Sequence, residues 1–227
     1  MTKSQINRLG DRLRLSESPD EAALSELQEF RASYSEPMAK AQALLREVLG
    51  IEATSRLKTI NTIIEKLRRE RTRLATMQDI AGLRVVSKMR LAEQDELVGK
   101  ITSLFPGSKM DDRRERPSYG YRAVHIIALV DERPVEIQVR TELQDRWAQV
   151  MEGMADELGR GIRYGEEPES KAAAKNLAVM KILSELITSM ERHPGEGVKA
   201  PEVVAGVEQL LKGLEAILGP LEEGDGP

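Results

Sequence analysis

Two acidic residues, each beside or within a strand-like run and each followed closely by an arginine, are the side chains best placed to do chemistry. Asp79 opens Asp79-Ile80-Ala81-Gly82-Leu83-Arg84-Val85-Val86, and Glu136 lies inside Val135-Glu136-Ile137-Gln138-Val139-Arg140-Thr141. Two carboxylates on adjacent strands can hold Mg²⁺ between them, and arginine forks nearby can hold phosphates. That is the equipment of phosphoryl or nucleotidyl transfer. Side chains alternate along a strand, so Glu136, Gln138 and Arg140 share one face while Val135, Ile137 and Val139 turn to a core. A polar face in solvent would alternate in the same way. Asp79 alone would pass for a turn or cap acid, but it precedes a strand, and Gly82 allows close backbone approach.

The third piece is Gly120-Tyr121-Arg122-Ala123-Val124-His125. Aromatics make up only 3% of the chain, so Tyr119 and Tyr121 on either side of a glycine stand out. They read as a stacking platform for a base, or as tyrosines packed at a strand entry. Alternation puts His125 on the face of Tyr121 and Ala123, where it contacts phosphate or is simply buried and bonded. The other histidine, His193 before Pro194, reads as loop. The basic residues are bunched: Arg56, Lys58, Lys66, Arg68, Arg69, Arg71, Arg73, Arg84, Lys88 and Arg90 in one stretch, then Arg113, Arg114, Arg116 and Arg122. With a net charge of -4 and acid gathered at the C-terminus, this points to an anionic ligand held mid-chain, or to solvated helix faces.

Other chemistries lack their parts. There is no cysteine for a disulfide, a zinc thiolate site or a thiol nucleophile, and two histidines are too few for a histidine-based metal hydrolase. No Gly-rich loop ending in Gly-Lys-Ser/Thr is present, and no dinucleotide fingerprint follows a strand. The N-terminus opens no apolar run and no stretch approaches a membrane span, so the expectation is a cytoplasmic protein without membrane contact.

The elements that must position these residues follow from periodicity. Residues 3–14 read as a short polar helix, and Ser18-Pro19-Asp20 starts a longer one that Pro37 divides and Gly50 ends. Thr54-Ser55 caps a third helix with the stripe Leu57, Ile60, Ile63, Ile64 and Leu67. Ile80 to Val86 is a buried strand, 91–104 a helix, 109–114 an edge strand and 121–130 the strongest strand. A turn at 131–134 makes 135–139 its hairpin partner. Leu143 to Leu158 is a helix with Trp147 in its core face, and 171–191 and 201–218 are two more, with a loop at His193–Gly197 between them and a frayed tail from Gly219. The fold class is α+β: a small mixed sheet flanked by helices, with helical extensions at both ends. The expected division is 1–50 as N-terminal helical extension, 51–165 as catalytic domain and 166–227 as C-terminal helical extension.

Taken together and in order, these pieces resemble the synthetase domain of the RelA/SpoT family. The matching residues are Asp79 to Arg84, Gly120 to His125, Glu136 to Thr141, Gln144 with Trp147-Ala148, and the upstream Arg56-Leu57-Lys58 and Glu65-Lys66-Leu67, which are similar to the family's basic helix. The absence of a His-Asp hydrolase signature makes the chain similar to the small, single-domain synthetases. The resemblance implies a nucleotidyltransferase-like sheet and a GTP pyrophosphokinase: the 3′-hydroxyl of GDP or GTP attacks the β-phosphate of ATP, pyrophosphate moves to give (p)ppGpp, and AMP leaves. It implies that Asp79 binds Mg²⁺ and that Glu136 contacts the metal or takes the hydroxyl proton. Tyr121 would stack on guanine. Arg56, Lys58, Lys66 and Arg84 would hold ATP, and Gln138, Arg140 and His125 would line the acceptor side. Small synthetases are often homo-oligomers, so self-association is expected. Ala123 stands where many members carry serine, and Met151-Glu152-Gly153 where many carry a Glu-His pair. With the Arg113–Arg116 cluster, these departures keep two alternatives open: transfer to the 3′ end of tRNA, or a regulatory nucleotide-binding module without catalysis.

Overall fold

Apolar residues at helical spacing build the first layer. Ile6, Leu9 and Leu13 bury one face of α1 (Lys3–Leu15), whose N-terminus is closed by a reciprocal box between Thr2 and Gln5. Asp20 caps α2 (Glu21–Ala32), its Oδ1 accepting from the Ala23 amide at 2.7 Å. The computed structural model describes residues 1–192 and 201–218; the expected loop at His193–Gly197 and the tail from Gly219 lie outside them. Pro37 does not divide a helix. The break comes at Ser33 and Tyr34, and Pro37 sits in the first turn of α3 (Ser35–Leu49), where its missing N–H has no partner to lose.

The chain forms two compact units. One comprises Met1–Val85, Lys100–Met110 and Ile126–Gln138; the other comprises Val86–Gly99, Asp111–His125 and Val139–Pro227. In the first, α1 packs on α2 and α4 (Ile60–Glu70), and α3 packs on β1 (Thr54–Leu57). Its interior holds Leu9, Leu13, Leu27, Leu45, Ile63, Leu67, Leu74 and Ile80. Thr54 and Ser55 do not cap a helix; they open β1, an exposed strand antiparallel to β2 (Ala81–Ser87), with Thr54 opposite Arg84 and Arg56 opposite Gly82. The helix starts later, at Ile60, where Thr59 accepts from the Thr62 amide at 3.3 Å.

In the second unit Thr141 and Gln144 form a capping box on α6 (Glu142–Leu158), which packs against α7 (Lys171–Arg192) and α8 (Pro201–Leu218). Trp147, Val150, Met151 and Met154 of α6 meet Met180, Leu183 and Ile187 of α7 and Val207 and Leu211 of α8. With 3% aromatics in the chain, this core is aliphatic and thioether, and Trp147 is its one large ring.

The remaining elements are α5 (Leu91–Leu104), β3 (Lys109–Asp112), β4 (Val124–Val130) and β5 (Arg133–Thr141). The sheet has five strands in the order β1-β2-β5-β4-β3. This is the expected α+β class, a small mixed sheet with helices around it. β4 and β5 are joined by Asp131 and Glu132, both at positive φ (46° and 62°), the pairing that a two-residue hairpin turn requires. β4 begins at Val124, so Tyr121 and Ala123 do not belong to it. Tyr121 instead closes a turn back onto Ser118, its amide donating to the Ser118 carbonyl at 3.0 Å. Among the described residues no helix is long and apolar enough to cross a membrane.

Candidate active site

Asp79 enters the sheet just ahead of β2 and is half-buried. Its Oδ2 accepts from two ammonium groups, Lys58 Nζ at 2.8 Å and Lys66 Nζ at 2.7 Å. Its Oδ1 is buried and has no hydrogen-bond partner. Burial on its own would raise the Asp79 pKa, but the charges of Lys58 and Lys66 outweigh it and hold the carboxyl below its ordinary value. The fold delivers the lysines from two directions. Lys66 projects from α4, which buries Ile63, Ile64 and Leu67. Lys58 follows β1, its amide donating to the Ile80 carbonyl at 2.8 Å and its carbonyl accepting from Arg31 Nε at 2.8 Å.

Glu136 lies on β5, the strand next to β2 in the sheet, and Gln138 Nε2 donates to its Oε2 at 2.7 Å. Burial alternates along β5 as the spacing requires: Val135, Ile137 and Val139 are buried, while Glu136 and Gln138 are half-exposed. On β2, Gly82 and Arg84 are the half-exposed positions between buried Ala81, Leu83 and Val85. A Cβ on Gly82 would come no closer than 3.6 Å to the Arg56 carbonyl, an ordinary contact. The chain itself therefore does not demand glycine there. Arg56, on β1 opposite Gly82, is exposed. One compact unit thus gathers Arg56, Lys58, Lys66, Asp79, Arg84, Glu136 and Gln138.

Asp79 Oδ1 is the oxygen left open to a cation. Among the described residues no group of three or more His, Asp or Glu side chains could hold a metal by itself. Mg²⁺ commonly takes only one or two carboxylates and completes its shell with water and substrate phosphates. An oxygen that is buried and unpartnered, beside lysines suited to phosphate, fits that arrangement.

The other compact unit holds Tyr121, His125 and Arg140. Arg140 is 3% exposed; its Nη1 donates to Asp145 at 2.8 Å and its Nη2 to the Tyr121 phenol oxygen at 3.0 Å. Its Cζ lies 5.1 Å from the centroid of the Tyr121 ring. The phenol oxygen is also 2.8 Å from His125 Nε2, and the two rings meet edge to face. Because a guanidinium can only donate, the phenol oxygen accepts from Arg140. His125, 5% exposed, is buried and bonded to the Tyr121 phenol, one of the two readings its place in the sequence allows, and Arg140, 3% exposed, bears on Tyr121 from within the unit.

Asp145 was missed because an acid in the first turn of a helix reads as a favourable partner of the helix dipole. Arg31 was missed because it lies far upstream in a helix of ordinary charge pattern. The Arg113–Arg116 cluster is largely committed to acids of its own unit: Arg113 bonds Asp111 at 2.8 Å, and Arg114 bonds both Asp112 and Asp95 at 2.6 Å.

Residues 55–158 match the sequence profile described as the region found in RelA / SpoT proteins. Apart from Arg31, every candidate site residue named above lies within that segment. Uncharacterized proteins of Mycobacterium tuberculosis and Mycobacterium bovis are 43% identical over 141 residues, 61% of this chain and 50% of theirs. The chain therefore spans about half the length of the curated relatives it matches. Among solved structures, the small alarmone synthetase 1 of Bacillus subtilis aligns with a TM-score of 0.59 at 21% identity, covering 81% of this chain and 98% of that one. A GTP pyrophosphokinase family protein from Streptococcus pneumoniae gives 0.58 at 21% identity, covering 86% and 98%. The Bacillus subtilis synthetase bound to its product pppGpp gives 0.56 at 21% identity, covering 82% and 99%. The fold is that of the small alarmone synthetases.

Proposed function

Residues 55–158 being a RelA/SpoT region, we propose that this chain is a GTP pyrophosphokinase that moves pyrophosphate from ATP to the 3′-hydroxyl of GDP or GTP. The observation that carries the reading is Asp79: one oxygen under two ammonium groups, the other buried and unpartnered. An ATP triphosphate entering there would draw Lys58 and Lys66 to its phosphates and release the carboxylate. Arg56 and Arg84 add charge for the phosphates or a face for adenine. Asp79, with Glu136, would hold Mg²⁺, which when bound would neutralise phosphate charge and polarise the β-phosphorus. Glu136, oriented by Gln138, accepts the proton of the attacking 3′-hydroxyl. The new bond forms between that oxygen and the β-phosphorus, the bond to the α-bridging oxygen breaks, and AMP leaves. Tyr121 offers its half-buried ring to the guanine, with Arg140 and His125 fixing its pose.

The domain of 51–165 is proposed as the catalytic part, with 1–50 and 166–227 as helical extensions; a cytoplasmic location goes with this chemistry. Val179 and Ile182, 43% and 66% exposed on α7, favour self-association through that helix. Transfer to tRNA draws less support now that Arg113 and Arg114 are paired with acids. The test is acceptor screening: γ-labelled ATP and magnesium with GDP, GTP or total tRNA. Label on guanine nucleotide supports the reading, label on RNA supports the alternative, and no transfer to any acceptor rejects both.

A further inference from the structure

We propose that Ser184 of α7 is a positioning residue for the acceptor side, acting through the Gly120–Tyr121 turn. This deepens the proposed function and rests on it for the role of Tyr121. Ser184 is 2% exposed and lies beyond residue 158, where the RelA/SpoT match ends. Its hydroxyl donates to the Gly120 carbonyl at 2.5 Å and accepts from Arg122 Nε at 3.0 Å. A serine inside a helix commonly bonds back to its own backbone four residues earlier, as Thr188 does here onto the Ser184 carbonyl at 3.0 Å. Ser184 instead crosses to another element and joins the two residues that flank Tyr121.

The turn needs such an anchor. Gly120 has φ 97°, and a Cβ there would come within 2.7 Å of the Trp147 ring, so the backbone is pressed onto the indole with no side chain of its own to hold it. Trp147 is fixed in turn by α7, its Nε1 donating to the Met180 carbonyl at 2.6 Å. Arg122, 6% exposed, is used up inside the same unit: besides Ser184 it donates to the Arg114 carbonyl and, at 2.6 Å, to Glu185. The Ser184 hydroxyl therefore links α7 to the carbonyl before Tyr121 and, beside Glu185, to the guanidinium after it.

The experiment compares wild type with Ser184→Ala and Ser184→Thr, the latter keeping the hydroxyl beside a small cavity lined by Gly120, Arg122, Gln144, Trp147 and Ile187. Amide hydrogen exchange is expected to quicken about tenfold at Tyr121 and Arg122 in the alanine variant, the size of one lost hydrogen bond, with α6 unchanged. Under the same substitution the KM for the guanine acceptor is expected to rise about tenfold while the KM for ATP and kcat stay within about twofold, and threonine restores both readouts. Unchanged exchange at Tyr121 in the alanine variant overturns the proposal, as does an equal loss for both substrates. If the wild type transfers nothing to guanine nucleotide, the proposed function falls, and the exchange comparison by itself still decides whether Ser184 holds the turn.

Discussion

The guanidinium of Arg140 lies over the ring of Tyr121, 5.1 Å from its centroid, and donates to the same residue's phenol oxygen at 3.0 Å. The ring is thus posed by a charge that is itself buried and balanced by Asp145. The proposed acceptor side would thus rest on an ion pair.

Removing one member of that pair leaves a buried charge without compensation. Arg140→Met is expected to cost about 3–5 kcal/mol, and Arg140→Met with Asp145→Asn to recover a substantial part of it. Urea unfolding of the single and double variants reads this directly. A single variant within about 1 kcal/mol of wild type contradicts the buried pair.

Asp79→Asn is expected to lower transfer at least about a hundredfold, because the lysines lose their partner and the cation its oxygen. The same variant has a signature in acid. The Asp79 carboxyl titrates below its ordinary 3.8 in the folded protein, so its stabilisation is present above that value and is lost as pH falls through the folded pKa. Wild type and variant stabilities should therefore converge as pH drops below about 4. Parallel acid-unfolding curves would show that the lysine contacts do not act on the carboxyl.

Glu191 gives the opposite slope. Burial raises its pKa to about 7 from 4.5, although hydrogen bonds from Thr141 and Gln144 and the charges of Arg114 and Arg122 pull it down. The folded state thus binds a proton that the unfolded chain has already released. The stabilisation is complete below about 4.5 and is lost as pH rises through about 7. Glu191→Gln should flatten that slope and be more stable than wild type at pH 8 by on the order of 1–3 kcal/mol, at about 1.4 kcal/mol per pKa unit. Melting curves at pH 5 and 8 check it; equal pH dependence in the two proteins rules it out.

Under the proposed function, Arg31 would act on the donor side through the Lys58 carbonyl. Arg31→Met is expected to raise the KM for ATP about tenfold, the scale of one hydrogen bond from a charged donor, and to leave the KM for guanine nucleotide unchanged. Initial-rate kinetics with each substrate varied in turn separate the two. An equal change in both would assign Arg31 to general stability.

Much of this was legible in the chain because amphipathic spacing is a strong signal. The Ile63, Ile64 and Leu67 stripe, the helix from Leu143 and the alternation at Glu136 all follow from residue order. β1 was not legible: its four residues are exposed or half-exposed, so no apolar alternation marks them, and Thr54-Ser55 imitate a helix cap. Strand alternation put Glu136, Gln138 and Arg140 on one face. Burial of Arg140 depends on Asp145, a partner one helical turn into another element, and no strand period encodes that. His125 shows the same limit, since a bonded core histidine and a ligand-facing one have identical neighbours in sequence.

Which bond of ATP is broken tests the central claim most directly. With magnesium and GDP or GTP, the account predicts that AMP and γ-labelled guanine nucleotide form in equal amounts, and that Glu136→Gln suppresses both together. Release of ADP, or of labelled inorganic phosphate with no labelled guanine nucleotide, would contradict attack at the β-phosphorus and with it the role given to Asp79 and Glu136.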